Sequence, residues 1–431
     1  MKPQTVCLLN DSFPPIIDGV VNTVLNYARN IQRTSFHSMV ITPDHPGADD
    51  SPYDYPVIRY PSLDLRNKIG YMAGIPFSPA LTEKLSKDYI VLLHSHCPIV
   101  STVLARQLRQ IVKAPLVLTY HTKFDIEIHK LLQSKLLQES SIKALLSNIN
   151  ACDEVWTVSR GAGDNLRKLG YEGAYIVMPN GVDLPCKRMT QTDVEVVTGN
   201  YDLPNGVPVY LFVGRMMWYK GIRIILEALV KLKSENRDFR MVFIGDGADR
   251  SEIEELSSKL HLFRKCIFHD SIREREILRA WYCRADLFLF PSTFDTNGLV
   301  VREAAACSLP SVLIEHSCAA EGVINGINGF LIKENADSLF HCLLKLHNQI
   351  GYIRQVGSCA ASTLYLSWQD AIRLALHRYQ IIIDRYKRGE YPPHRTTSED
   401  LLRINAELMD GLGHLLTMRN RIRRQFRDHL R

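Results

Sequence analysis

No C-x-x-C pair occurs in this chain, and its ten cysteines are scattered without regular spacing. That argues against a zinc ribbon or a disulfide framework and favours reduced thiols in a cytoplasmic setting. Long apolar runs are missing too. None approaches the length needed to cross a bilayer, and the opening MKPQTVCLLND is too short a run for a signal peptide. An intracellular protein is therefore expected, with any membrane contact peripheral. A strong charge of one sign is also lacking: Lys plus Arg number 52 against 46 Asp plus Glu. No nucleic-acid partner is expected of so balanced a body. There is no internal repeat at solenoid spacing and no low-complexity segment. What remains is a chain of 431 residues, 46% apolar and 23% charged. That is an ordinary globular composition of about two or three domains.

Short apolar runs alternate with amphipathic segments of helix length, the pattern of parallel sheets covered by helices. In the first half the runs predict strands at Val6–Leu9, Ser38–Thr42, Val57–Tyr60, Ile90–Leu93, Leu116–Thr119, Glu154–Val158 and Tyr175–Met178. Met189 to Leu203 is polar and weakly patterned and reads as a linker. A second series follows at Pro208–Val213, Arg240–Ile244, Cys266–Phe268, Leu287–Phe290, Ser311–Ile314 and Gly329–Leu331. The expected fold class is α/β, with two Rossmann-like doubly wound domains facing across a cleft, over residues 1–188 and 189–366. A long helix (367–390) and a basic amphipathic tail (391–431) come after. Ligands of such sheets bind beyond the carboxyl ends of the strands.

The polar clusters fall at those strand ends. PSTFDTNGLVVREAAACSLP, from Pro291 to Pro310, follows an apolar run and starts a helix at Gly298. It sets Asp295 just before the helix and Glu303 among alanines within it, where a charge is costly unless paired. Two acids at a helix N-terminus could hold hydroxyls and an anion together. Taken alone, Asp295 reads equally as an N-cap and Glu303 as a partly exposed helix residue. FVGRMMWYKG brings Arg215 and Lys220 to a strand end beside a second helix start, an arrangement suited to a pyrophosphate. FIGDGADR offers Gly245 and Gly247 for close backbone approach, or simply a tight turn. In the first half, LLNDSFPPIIDGVVNTV leads into a helix at Gly19, HSHCP sets His94 and His96 on one side of a strand end, and TYHTKFD ends a strand at His121. A zinc reading of His-x-His lacks further ligands at suitable local spacing, so no metal is expected.

In this order the markers resemble the retaining glycosyltransferases of family 4. They are Gly214-Arg215…Lys220-Gly221, the acidic pair eight residues apart, the G-x-G loop, His121, Pro179-Asn180-Gly181 and Leu366-Ser367-Trp368. Asp295 stands where the family has glutamate, and Asp18-Gly19 where it has a glycine-rich turn. The block with LLHSHCP and TYHTK looks most like the branch that glucosylates diacylglycerol. The resemblance implies the GT-B fold and transfer of a hexose from a nucleoside-diphosphate sugar, expected to be a UDP-sugar, to a lipid or carbohydrate hydroxyl, without metal or further cofactor. It makes His121, Arg215, Lys220, Asp295 and Glu303 catalytic candidates. Gly19, Gly214, Gly247, Thr296, Asn297, Gly298 and Leu299 become donor-binding candidates, with His94 and His96 on the acceptor side. A sugar-nucleotide epimerase on the same fold and a non-catalytic partner subunit are the alternative readings. The tail supplies six arginines between Arg419 and Arg431 below an apolar stripe that starts at Leu401. It suits the surface of an anionic membrane, or equally a helix packed on the protein or pairing in a dimer.

Overall fold

A computed structural model describes residues 3–391 apart from 67–70, 77–80, 82–84 and 86–87. The basic tail, with the apolar stripe from Leu401, lies outside the described residues. The chain forms two compact units. The first comprises Met1–Val158, Ala162–Pro179 and the chain from Ala371 onward; the second comprises Ser159–Gly161 and Asn180–Asp370.

The first unit is built on strands β1 (Thr5–Leu9), β2 (His37–Pro43), β3 (Val57–Tyr60), β6 (Ile90–Ser95), β7 (Leu116–Tyr120), β8 (Glu154–Thr157) and β9 (Ile176–Val177). They pair in parallel in the order β3-β2-β1-β6-β7-β8-β9. A small antiparallel pair, β4 (Ser62–Asp64) and β5 (Met72–Gly74), stands beside this sheet and carries no apolar run to announce it. Val6, Cys7, Leu8 and Leu9 of β1 are fully buried, as expected of a central parallel strand covered on both faces. Helices α1 (Gly19–Gln32), α2 (Val100–Val112), α3 (Phe124–Leu131), α4 (Lys135–Asn150) and α5 (Arg160–Lys168) connect them. Asp11, just beyond β1, accepts hydrogen bonds from the amides of Ser101 (2.6 Å) and Val100 (3.1 Å), and so caps α2 from across the point where strand order reverses.

The second unit has six parallel strands: β10 (Val209–Val213), β11 (Arg240–Ile244), β12 (Cys266–His269), β13 (Leu287–Phe290), β14 (Ser311–Ile314) and β15 (Phe330–Ile332). Their order is β12-β11-β10-β13-β14-β15, again doubly wound, with the reversal between β10 and β13. Its helices are α6 (Gln191–Thr198), α7 (Ile222–Ser234), α8 (Arg250–Lys259), α9 (Arg275–Arg284), α10 (Leu299–Ala306), α11 (Ala336–Leu346) and α12 (Ile350–Leu364). The stretch Met189–Leu203, expected as a linker, is part of this unit's packing. Thr190 accepts a hydrogen bond from the Asp193 amide and starts α6, which buries Val194 and Thr198. So short a helix, with only two buried positions, leaves too little periodicity to read. Apart from Ser159–Gly161, the second unit begins at Asn180, ahead of residue 188 where the domain boundary was expected.

The last helix, α13 (Trp368–Lys387), starts in the second unit and packs in the first from Ala371 on. The Ser367 hydroxyl accepts from the Asp370 amide at its start. Beside it, Val182 donates to the Leu366 carbonyl at 3.0 Å, and a Cβ on Gly181 would lie 2.5 Å from the Trp368 backbone. Asn180-Gly181 therefore belongs to a close backbone approach, and glycine is required there on steric grounds. Among the described residues, no helix is long and apolar enough to cross a membrane.

Candidate functional site

The strongest cluster sits at the carboxyl edge of the second sheet, where strand order reverses. After β10 the chain runs from Gly214 to Gly221, and after β13 it runs from Pro291 to Gly298. Gly221 has φ 77°, and a Cβ there would lie 1.9 Å from the Pro291 carbonyl oxygen. Glycine thus lets the two loops touch, and Lys220 is laid against the second loop. Its Nζ lies 2.7 Å from Asp295 Oδ1 and 5.7 Å from the ring centres of Tyr219, Phe290 and Phe294. Asp295 Oδ2 accepts from the Ser292 hydroxyl at 2.6 Å. Lys220 is only 7% exposed, so it is not a solvated loop cation. Arg215 is exposed and has no ion-pair partner among the described residues.

Gly298 adopts the left-handed conformation (φ 58°) and turns the chain into α10. Val301, Ala304, Ala305 and Ala306 bury one face of that helix, and Glu303 keeps 12% of its side chain exposed. The pairing that a carboxylate in such surroundings requires comes from α9. Arg275 Nη2 donates to Oε1 at 2.7 Å, and the Tyr282 hydroxyl donates to Oε2 at 2.9 Å. Arg275 and Tyr282 stand seven positions apart, two turns of one helix, and so project on the same face. Burial and then the charge of Glu303 push the Tyr282 phenol well above its usual range, which keeps it a donor. Burial opposes the charge of Arg275, and Glu303, with Asp183 beyond it, more than offsets that opposition. Neither residue was singled out from the sequence. Their only local signal is that seven-residue spacing on a helix whose other buried positions are apolar.

Between these clusters, the Thr296 carbonyl accepts from the Ser159 hydroxyl at 2.5 Å. Both polar atoms of the Asn297 side chain are buried without a hydrogen-bond partner among the described residues, beside Gly298, Arg302 and Glu321. Leu299 is half-buried as the first residue of α10. The glycines of the G-x-G loop are accounted for within the protein. A Cβ on Gly245 would lie 2.0 Å from the Gly214 carbonyl oxygen, and one on Gly247 would lie 2.3 Å from that of Met216. Backbone bonds from Gly214 to Ile244 and from Met216 to Asp246 lock the same two loops.

In the first unit, β6 and β7 carry the histidines. His94 is fully buried. Its ring nitrogens meet the Tyr379 hydroxyl (2.5 Å) and Thr119 Oγ1 (2.7 Å), and Trp156 stacks on Tyr379 at 5.3 Å. The expectation that His94 serves the acceptor side is therefore corrected: α13 covers it, and both nitrogens are engaged. His96 Nδ1 lies 3.0 Å from His121 Nε2, with the rings stacked, and His96 Nε2 is buried without a hydrogen-bond partner among the described residues. Burial pushes His121 down to about 3 and holds His96 well below the ordinary histidine range, so both rings are neutral at physiological pH. Asp18 caps α1 through the amides of Val20 (2.9 Å) and Val21 (2.8 Å). Those amides are thereby taken from any anion at this helix start, and a Cβ on Gly19 would meet nothing within 4 Å. Among the described residues, no group of three or more His, Cys, Asp or Glu side chains converges as a metal site would.

Comparison with known proteins adds to this geometry. The crystal structure of Anabaena HepE in complex with UDP superposes with a TM-score of 0.71 at 17% identity, covering 88% of this chain and all of that one. The likeness fixes the fold as GT-B. The alpha-monoglucosyldiacylglycerol synthase of Acholeplasma laidlawii is 25% identical over 389 residues, 84% of this chain and 97% of that protein. Its namesake from Streptococcus pneumoniae is 24% identical over 312 residues, 71% of this chain and 70% of that one. A family model described as Glycosyltransferase Family 4 matches residues 17–185, and one described as Glycosyl transferases group 1 matches residues 197–349. With one model on the first half of the chain, the other on the second, and two doubly wound sheets beneath them, this chain belongs to the retaining glycosyltransferases of family 4.

Proposed function

We propose that the chain transfers a hexose from a nucleoside-diphosphate sugar, UDP-glucose being the first candidate, to a lipid hydroxyl such as that of diacylglycerol at the cytoplasmic face of a membrane. One observation carries the donor reading. A part-buried lysine–aspartate ion pair where the loops after β10 and β13 meet, and a doubly hydrogen-bonded glutamate on the helix that follows β13, both come after strands at the switch point of the second sheet, where ligands of such sheets bind. The lipid acceptor rests on the two synthases among the relatives and on the basic tail as read from sequence. UDP is the nucleotide named in the Anabaena structure. The epimerase reading is not favoured, because the relatives are glycosyltransferases.

In this reading the bond from the anomeric carbon to the diphosphate oxygen breaks, and one from that carbon to the acceptor oxygen forms on the same face. The acceptor's proton leaves with the diphosphate. Lys220 and the exposed Arg215 offset the charge gathering on the leaving group, the electrostatic term that usually dominates such a step. Asp295, with the backbone of Thr296 to Leu299 and the Asn297 amide, orients the sugar. Glu303 holds the ribose hydroxyls. Gly214 and Gly247 bring backbone near the nucleotide; the family resemblance assigns Gly19 to its phosphates, and Asp18, which takes the amides of Val20 and Val21, makes that contact the weakest. The family resemblance assigns His121 to the reacting centre, where a neutral ring backed by His96 would exchange a hydrogen bond rather than a charge. The reading requires no further cofactor.

The test is to incubate the full chain with UDP-glucose and vesicles of diacylglycerol and an anionic phospholipid. The expected product is α-glucosyl-diacylglycerol, and Lys220→Ala and Glu303→Ala should each abolish it. Conversion of the donor into another nucleotide sugar without acceptor would instead favour an epimerase. Activity surviving both substitutions would sink the site assignment.

A further inference from the structure

Each oxygen of a carboxylate has room for about two hydrogen bonds. Glu303 uses one place on each: Oε1 receives Arg275 and Oε2 receives Tyr282. Among the described residues a second place stays open on each oxygen, and the side chain reaches the surface over 12% of its area. Two open sites side by side suit two hydroxyls on neighbouring carbons. The two donors behind them are not equivalent. Tyr282 is fully buried, packed on Phe288 at 5.7 Å between ring centres, and cannot shift without disturbing the core. Arg275 starts its helix, has 41% of its side chain exposed, and keeps a buried Nε–H without a hydrogen-bond partner among the described residues. The tyrosine pins one oxygen; the plane of the carboxylate is then set by whatever pins the other.

We propose that Arg275 is a positioning residue for the donor nucleotide: held against Glu303 Oε1, it fixes the carboxylate plane so that both open acceptor sites meet the ribose diol. The inference rests on the nucleoside-diphosphate reading above and adds a residue to it. A guanidinium suits the task because its planar fork defines a direction, which an ammonium does not.

The probes are UDP and 2′-deoxy-UDP, with the GDP and ADP pairs alongside, titrated calorimetrically into the full chain. The wild type should prefer the ribo form by roughly tenfold or more, the worth of a hydrogen bond to a charged group. Arg275→Gln should lose most of that preference by weakening the ribo form alone, leaving the deoxy form bound as before. Arg275→Lys keeps the charge without the fork, so the preference should fall there too, which keeps the test open if the glutamine variant does not fold. An Arg275→Gln protein that keeps the full preference, while Glu303→Gln loses it, would overturn the role of Arg275 and leave the donor reading standing. Equal loss of ribo and deoxy forms would mark Arg275 as structural only and overturn the proposal as well. A wild type that binds none of these nucleotides, or does not distinguish ribo from deoxy, would overturn the donor reading and the proposal with it.

Discussion

Burial makes an ammonium costly; three aromatic rings offset part of that cost for Lys220, and Asp295 supplies the counter-charge. The aspartate is a methylene shorter than the glutamate usual in the family, yet at 2.7 Å its contact with the lysine is a full ion pair. Removing one partner of a buried pair costs about 3–5 kcal/mol. With 22% of the Asp295 side chain exposed, a smaller loss is expected here. Asp295→Asn should therefore lower the urea midpoint, by about 1–3 kcal/mol in stability, whereas Asp295→Glu, which keeps the charge, should lose less than about 1 kcal/mol. Equal midpoints for wild type and Asp295→Asn would mean that the pair does not hold the loops. From sequence both residues were visible as candidates, each for its own reason. Their pairing was not, because it depends on the contact of two loops 75 positions apart, and Gly221 alone hints at it.

At the scale of elements, α13 decides what the first sheet can expose. Tyr379 from this helix hydrogen-bonds His94, and Arg378 makes two bonds to Glu154 at the start of β8. Tyr379→Phe should leave a buried imidazole nitrogen without its partner and destabilise the chain by about 1–3 kcal/mol, measured by chemical unfolding. An unchanged midpoint would show that the ring stack on Trp156, and not the hydroxyl, seats the helix. The same contact explains where sequence reading succeeded and failed. Runs such as Val6–Leu9 and Leu287–Phe290 are strands because continuous apolar runs of that length fit only a sheet covered on both faces. His94 misled because alternation fixes which face a side chain takes but not what lies over that face. The cover arrives 285 positions later. Likewise α6 gave no pattern, and Arg275 and Tyr282 serve a carboxylate on another helix, 28 and 21 positions away, which no local spacing reveals.

For the molecule as a whole, three neutral histidines at the core of one unit make stability depend on pH. Burial pushes His121 from 6.5 to about 3, and burial together with its neighbouring rings holds His94 and His96 well below 6.5. Above pH 6.5 folded and unfolded chains carry these rings alike, and they add nothing. Below it the unfolded chain takes up protons that the folded chain refuses, so stability falls as pH drops, for His121 as far as about pH 3. Each ring adds up to about 1.4 kcal/mol per pH unit to that slope. The melting temperature should thus decline from pH 7 to pH 5, and His121→Gln should flatten the decline. An identical decline in both proteins would refute the assignment of the slope to His121.

The first unit is also interrupted in sequence, since it resumes at Ala371 only after the second unit has been laid down. On the ribosome, residues 1–179 emerge early but lack the helix that seats His94 and Trp156. Domains generally fold as units as they emerge. Here the half of the protein that is made first is finished last, and the nascent chain must carry an uncovered patch of buried histidine and tryptophan until residue 387 has been joined. Exchange of parts between relatives is constrained in the same way. A graft of the second unit has natural seams near residues 180 and 370, and the recipient must keep its own final helix.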